Sequence, residues 1–482
     1  MRTVPLQSPS GAAPSAAPRR SWPDHAAVWR WHFYAALFCL PFFCWLAVTG
    51  SIYLFRPDIE AWIDRPYESL HLDGPRAAPS SEARAAVAAV PGSVFSRYEP
   101  PATPTGAAQV VVARDGKLFR VYVHPGTLQA MSIGRNDHRI MELMAHLHGQ
   151  LLLGDTGSVI VELAGSWGVV MILTGLYLWL PRGKWRPGGL VYPRLGGRGR
   201  LFWRDLHAVT GLWISMVTLF LLLSGLPWTT SWGRYFSWIR NHWAVTSGPP
   251  DWPIGAKEEP PPSVAPPSSM PGMTAAEMAA MPPPAPPPTP GAHPSSADPG
   301  PDLRVLDTIV PAAANLPLPR PVWILPPTDG GRDWIVSSQA QNRPLRVTYA
   351  LAPDSGAVTG TKTFDDKNTV DRVVNIAIAT HEGQLFGRLN QAILLLNALG
   401  VLLVAVSAAV MWWRRRPVGR LGAPPQGARP RFSALLAISI VALALLIPLF
   451  GVSLLLVLGL ETALLRRFPT VRRWLGLEAP VV

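Results

Sequence analysis

Four histidines stand at matching places in two stretches of this chain that echo each other. Trp29-Arg30-Trp31-His32 opens a long apolar run, and Trp203-Arg204-Asp205-Leu206-His207 opens another. Ala145-His146-Leu147-His148-Gly149-Gln150-Leu151 precedes a second such run, as Ala379-Thr380-His381-Glu382-Gly383-Gln384-Leu385 precedes a fourth. A haem iron is commonly held from both faces by side-chain ligands, and neutral imidazole is the commonest metal ligand of all. A duplicated membrane unit with one imidazole per half at each level therefore predicts haem ligation, with His32 facing His207 and His148 facing His381. His146 is a close rival to His148. A single histidine near a membrane surface is as readily a side chain hydrogen-bonded to a neighbouring helix, so the matched positions of four carry the reading. No C-x-x-C-H attachment motif is present, which makes the expected cofactor haem b, about two per chain.

The elements that must position these rings repeat as helix, soluble segment, His-Gly-Gln segment, helix. Apolar stretches at about 33–55, 158–180, 208–229 and 391–413 are long enough to cross a hydrocarbon core of roughly 30 Å. A fifth, about 433–460, is interrupted by Pro448 and reads as a kinked span or a re-entrant hairpin. Each of the four spans has a small pair late in its run: Thr49-Gly50, Thr174-Gly175, Ser224-Gly225 and Ser407-Ala408. Such pairs let helices pack closely, or let a flat porphyrin edge approach the backbone. Glu162, one turn into the second span, marks a pathway or a buried partner, for which Asn390, Gln391 and Asn397 on the fourth span are candidates. Cys39 and Cys44, both in the first span, make neither a disulfide framework nor a metal pair.

Composition agrees with a membrane protein, at 48% hydrophobic and 15% charged over 482 residues. The formal charge of +13 does not imply nucleic acid, because the basic residues collect where topology needs them. Arg182, Lys184, Arg186, Arg194, Arg198, Arg200 and Arg204 fall between the second and third spans, and Arg414, Arg415, Arg416, Arg420, Arg429 and Arg431 follow the fourth. Lys and Arg in short loops favour the cytoplasm. The expected order is then a cytoplasmic tail 1–28, a first span 29–55, an outer segment 56–145, and a His-containing segment with the second span, 146–181. A basic loop 182–204, the third span 205–229 and a short outer segment 230–247 follow. The second half runs through an insert 248–301, an outer segment 302–378, the fourth His segment and span 379–413, a basic loop 414–432, the hydrophobic stretch 433–465 and a tail 466–482. Nothing at the N-terminus reads as a cleaved signal, so the first span is expected to stay as an anchor.

Both outer segments have helix-plus-sheet patterning. Ser80-Ser81-Glu82 predicts the cap of a short Ala-rich helix to about Val90, followed by strands around Gln109–Ala113 and Lys117–Val123 joined at Asp115-Gly116. In the second segment 302–314 reads as a helix, and 333–337 and 345–349 as strands. The insert is dense in Pro, Ala and Ser and is expected to be an extended tether. Its Met270, Met273, Met278 and Met281, with His293 beyond, form a weak candidate Cu(I) site, since thioethers are soft donors.

The sequence resembles the PepSY-associated transmembrane family, which includes iron-regulated membrane proteins and haem-containing siderophore-iron reductases. The resemblance rests on Leu147-His148-Gly149-Gln150-Leu151-Leu152-Leu153-Gly154, Thr174-Gly175-Leu176-Tyr177-Leu178-Trp179 and Arg204-Asp205-Leu206-His207-Ala208-Val209-Thr210-Gly211-Leu212-Trp213. Ser224-Gly225-Leu226-Pro227-Trp228 and His381-Glu382-Gly383-Gln384-Leu385-Phe386-Gly387 extend it over about residues 25–415, leaving out the insert. It implies an α-helical integral membrane bundle of four core spans plus a C-terminal hydrophobic segment, in the bacterial inner membrane, with two small α+β PepSY-like periplasmic domains and an internal duplication. It also implies haem ligation by His32, His207, His148 and His381, and reduction of a ferric chelate on the outer side. No nicotinamide or flavin fingerprint is visible, so the electron donor would be a quinol or another protein. The alternatives are a membrane scaffold whose outer domains bind a protein partner, and a copper-handling membrane protein. A topology reporter fused near Pro187 is expected to be active only if it works in the cytoplasm, and one near Pro286 only if it works in the periplasm; the reverse pattern would exchange the two levels of histidines.

Overall fold

The computed structural model describes residues 25–181, 186–194, 196, 199–243, 300–327, 331–424, 434–464 and 467–476. Met270, Met273, Met278, Met281 and His293 lie outside them. Among the described residues, four helices are long and apolar enough to cross a membrane. They are α1 (His25–Tyr53), α5 (Gly154–Trp179), α6 (Arg200–Gly225) and α10 (Arg388–Arg415). At about 1.5 Å per residue each exceeds the roughly 30 Å of a hydrocarbon core. The helices form a closed ring in which α1 packs on α5, α5 on α6, α6 on α10 and α10 on α1. Small residues allow the closest approaches: a Cβ on Gly168 would run into the Phe43 ring, and one on Gly400 would meet Ile214 Cγ2 at 2.5 Å.

The segment between α1 and α5 holds α2 (Arg56–Asp64), α3 (Pro79–Ala89), strands β1 (Val94–Glu99), β2 (Ala108–Arg114), β3 (Lys117–Val123) and β4 (Ala130–Arg135), and α4 (Ile140–Gln150). After α6 come α7 (Thr230–Trp243), α8 (Leu306–Ala314), strands β5 (Val322–Leu325), β6 (Trp334–Ser338), β7 (Thr348–Leu351) and β8 (Val358–Lys362), and α9 (Thr369–His381). Each segment therefore supplies a helix of the kind the patterning predicts and four strands, two more than it predicts. They do not stay separate. The strands form one antiparallel sheet in the order β4-β3-β2-β1-β5-β6-β7-β8, joined where Tyr98 pairs with Ile324. Joining at β1 and β5 hides two edges that would otherwise present unpaired backbone, and it merges two small apolar faces into one core. That core contains Ala86, Tyr98, Val110 and Val121 from the first segment and Leu306, Ile309, Ile324 and Val336 from the second.

Several local readings shift. Ser80 and Glu82 lie inside α3, whose N-cap is Ala78. Ser80 receives Asp307 of α8 instead, donating from its backbone N–H at 2.8 Å and its hydroxyl at 2.7 Å, which ties the two segments together. Glu82 is buried and accepts the Tyr98 hydroxyl at 2.6 Å. The strand expected at 345–349 begins at Thr348, because Arg343–Leu345 forms a 3-10 turn with Pro344 near its start. The fifth apolar stretch is two helices, α11 (Ala434–Leu446) and α12 (Pro448–Gly459), broken at Ile447 because Pro448 cannot continue the first. A last helix, α13 (Pro469–Leu475), returns to the basic end of the ring, where Leu421 donates its N–H to Trp474 O at 3.0 Å.

On the sheet face opposite α3 and α8, buried Glu99 accepts from Arg97 at 2.9 Å and from Arg120 at 2.6 Å, and Arg97 lies over the Trp323 ring. Burial alone would push the Glu99 carboxyl up, but the two guanidiniums override it and hold it below the ordinary carboxylate range. A depressed folded value means that this contribution to stability is complete above the unfolded value near 4.5 and is lost as pH falls through the folded one. Glu99→Gln removes the charge that the buried Arg97 and the half-buried Arg120 share. It should cost about 3 kcal/mol at pH 7, measured by denaturation in detergent, and should flatten the acid limb of the stability profile.

Candidate functional site

Two helices outside the ring carry two of the imidazoles. His148 lies in the last turn of α4 and His381 ends α9. The chain then turns sharply: Leu151 and Leu152 have φ of 50° and 59° before α5, and Gly383 and Gly387 have φ of 75° and 57° before α10. Gly383 has a second constraint, since a Cβ there would meet Leu54 Cδ2 at 2.8 Å. The motif glutamine Gln384 and Gln391 both donate to Leu54 O, at 3.2 and 3.1 Å, and pin this turn to the end of α1. Asn390 donates to Thr380 O at 3.1 Å and Asn397 accepts from Thr218 at 3.1 Å.

None of Asn390, Gln391 and Asn397 reaches Glu162. Buried Glu162 accepts instead from the backbone N–H groups of Ser231 (3.0 Å) and Trp232 (3.2 Å), at the start of α7. Helix starts expose unpaired N–H groups and carry partial positive charge, so they suit a carboxylate better than an amide does.

The structure brings the four histidines together in two pairs. His32 and His207 have ring centres 6.3 Å apart with planes at 81°, and His148 and His381 have 6.5 Å and 85°. His148, not His146, faces His381; His146 lies two positions earlier on α4 and makes no ring contact among the described residues. Metal–imidazole bonds are about 2.0–2.1 Å, and a ring nitrogen sits about 1.2 Å from its ring centre. Two imidazoles sharing one metal end-on thus have centres about 6.4 Å apart. Both pairs meet that requirement. The four rings are half-buried, as ligands lining an interior slot would be.

Each ring is seated by one of the four small pairs, a role their sequence alone did not disclose. His32 Nδ1 lies 3.0 Å from Met171 O and 3.3 Å from Thr174 Oγ1, and a Cβ on Gly175 would stand 3.0 Å from its Cε1. His207 Nδ1 lies 3.1 Å from Val404 O and 3.3 Å from Ser407 Oγ. His148 Nδ1 meets Thr49 Oγ1 at 3.0 Å, with Gly50 against its Cε1; His381 Nδ1 meets Ser224 Oγ at 2.8 Å, with Gly225 beside it. The hydroxyl engages Nδ1 and the following small residue makes room for the ring. With Nδ1 occupied, Nε2 is the nitrogen left to bind a metal, and ring orientation is fixed by an outer partner, as in well-ordered metal sites.

The signal for these seats was present as register. Seventeen positions separate His32 from Thr49, and seventeen separate His207 from Ser224; twenty-six separate His148 from Thr174, and twenty-six separate His381 from Ser407. Along α1, seventeen residues is about 25 Å, so the two pairs lie near opposite ends of the ring. One is at the sheet end and the other at the basic end, where Asp205 takes Arg194 at 2.6 Å.

A ring of membrane-length helices enclosing two levels of paired imidazoles defines a multi-pass membrane protein. Residues 29–415 match the model of the PepSY-associated TM region, and the chain belongs to that family. No curated protein matches it. Filling a seat should be costly: Gly175→Val is expected to destabilise by about 1–3 kcal/mol through overpacking against His32. Gly211→Ala, where an added Cβ meets nothing within 4 Å, should be neutral or stabilising by up to about 1 kcal/mol, both read by thermal unfolding in detergent.

Proposed function

We propose that this protein is a duplicated, inner-membrane b-type dihaem electron conduit, ligated by His32 with His207 and by His148 with His381, that reduces a ferric chelate in the periplasm. The observation that carries the reading is the match between two ring-centre separations, 6.3 and 6.5 Å, and the separation that one shared metal demands. The equal register of histidines and hydroxyls in the two halves supports the duplication. A haem at each level supplies a one-electron Fe(III)/Fe(II) couple.

The residues of the chain do the rest. Thr174 and Ser407 orient the rings at the basic end, and Thr49 and Ser224 those at the sheet end. The two levels stand about 25 Å apart along α1, so groups held there would lead charge from one membrane face toward the other. Basic loops favour the cytoplasm, so the sheet is periplasmic and electrons leave at the His148–His381 level toward the chelated ferric iron, which takes one electron to become ferrous. The donor at the other level is a quinol or a protein, and a matching oxidation there balances each electron delivered.

An absorption spectrum of the purified protein tests this directly. The expected result is a Soret band, low-spin bis-imidazole bands on reduction, and loss of roughly half the haem in either His207→Ala or His381→Ala. A haem-replete preparation without a Soret band would sink the electron-transfer reading and leave a membrane scaffold.

A further inference from the structure

The four imidazole seats are alike in plan and unlike in one acceptor. His32 Nδ1 has the Met171 carbonyl as well as the Thr174 hydroxyl, and His207 has the Val404 carbonyl as well as Ser407. His148 Nδ1 has the Thr49 hydroxyl at 3.0 Å. His381 has Ser224 Oγ alone, at 2.8 Å, among the described residues. The corresponding carbonyl, Leu221 O, accepts the Ser224 hydroxyl at 3.3 Å, as Met171 O and Val404 O accept those of Thr174 and Ser407, but among the described residues it makes no bond to the ring. His381 also differs in its neighbour: Trp228 stands edge-on to it at 5.3 Å and 88°. The residue in the same register of the first half, Tyr53, turns its hydroxyl to Arg56 at 2.6 Å and makes no ring contact with His148 among the described residues.

An amide carbonyl is a stronger acceptor than a hydroxyl oxygen. Strong acceptance from Nδ1–H pushes electron density toward Nε2, makes the imidazole a better donor to iron and favours the ferric form. Weak acceptance does the reverse. Both rings at the basic end have a carbonyl and His381 does not, so the level containing His381 should favour the ferrous form more than the level containing His32 and His207.

Resting on the haem reading above, we propose that Ser224 is a positioning residue that, as the lone acceptor for His381, makes the sheet-end level the more oxidising of the two. Electrons entering at the basic end then run downhill toward the sheet. Direction is set by the seats, without a difference in the ligating residue type.

Redox titration of the purified full-length protein, followed by its visible bands, tests this. Two midpoints are expected, and in His207→Ala, which removes the basic-end level, the higher one should remain. Ser224→Ala should shift the higher midpoint further up or convert that component to a high-spin spectrum as His381 loosens, and Ser224→Thr should restore both midpoint and spectrum. Thr174→Val should leave the lower midpoint in place, because Met171 O still accepts from His32. The proposal fails if the higher midpoint belongs to the His32–His207 level, if the midpoints coincide, or if Thr174→Val moves its level as far as Ser224→Ala moves the other. A protein that binds no haem would instead overturn the electron-transfer reading itself, so the two failures are distinct.

Discussion

The hydrogen bond between a helix-borne hydroxyl and an imidazole Nδ1 is the contact on which the arrangement depends. An unsatisfied ring nitrogen inside a low-dielectric bundle costs free energy, and a ring free to rotate holds no metal geometry. Each hydroxyl deals with both problems while staying tied to its own helix: Thr49 donates back to Trp45 O at 2.8 Å and Thr174 to Val170 O at 2.7 Å. Because the seat is always on a different helix from the histidine, it also fixes how two elements lie against each other. α1 is held to α5 through His32, α6 to α10 through His207, α4 to α1 through His148, and α9 to α6 through His381. Two sides of the helix ring and the placing of the imidazoles inside it thus rest on the same four contacts.

The sheet has a comparable role at one end. α4 follows β4 and α9 follows β8, so the two outermost strands of one eight-stranded sheet lead into the two helices that bring His148 and His381 together. Separate domains would leave that pair dependent on two independent bodies. The β1–β5 junction and the Ser80–Asp307 contact make the carriers parts of one body. Arg240 of α7, paired with Asp371 of α9 at 3.4 Å, and Glu162 of α5, which accepts from the first N–H groups of α7, extend the same restraint into the helix ring.

Much of this was legible in the sequence because it is carried by periodic or repeated residues. The four spans are long apolar runs, the strands around Asp115-Gly116 follow turn chemistry, and the two echoes place His32 against His207 and His148 against His381. What was not legible depends on the meeting of distant segments. No local pattern says that β1 and β5 share an edge, since an edge strand reads the same whether its partner is water or another strand. Glu162 misled for a similar reason: amide side chains on a neighbouring span were the visible partners, whereas the actual donors are backbone N–H groups, which every sequence possesses. The Thr-Gly and Ser-Gly pairs were visible as packing features, but their role follows only from which side chain lies over them.

The stretch beyond residue 415, outside the matched family region, bears on the basic-end pair through the back of α1. Arg30 is buried and donates to Pro424 O at 2.6 Å and Gly476 O at 3.0 Å, while the Tyr34 hydroxyl donates to Leu475 O. Arg30 and Tyr34 are four positions apart and share one face of the helix, and His32, two positions from each, lies on the opposite face. The end of α13 exposes carbonyls with partial negative charge, which suits a guanidinium. α1 is therefore gripped from both sides: the C-terminal segment holds the Arg30–Tyr34 face and α5 holds the His32 face. A helix held on one face can roll by a few tens of degrees and carry its imidazole out of register. Gripped on both, it cannot, and the 6.3 Å separation from His207 is set by contacts with α5 on one side and a segment more than 390 positions away on the other.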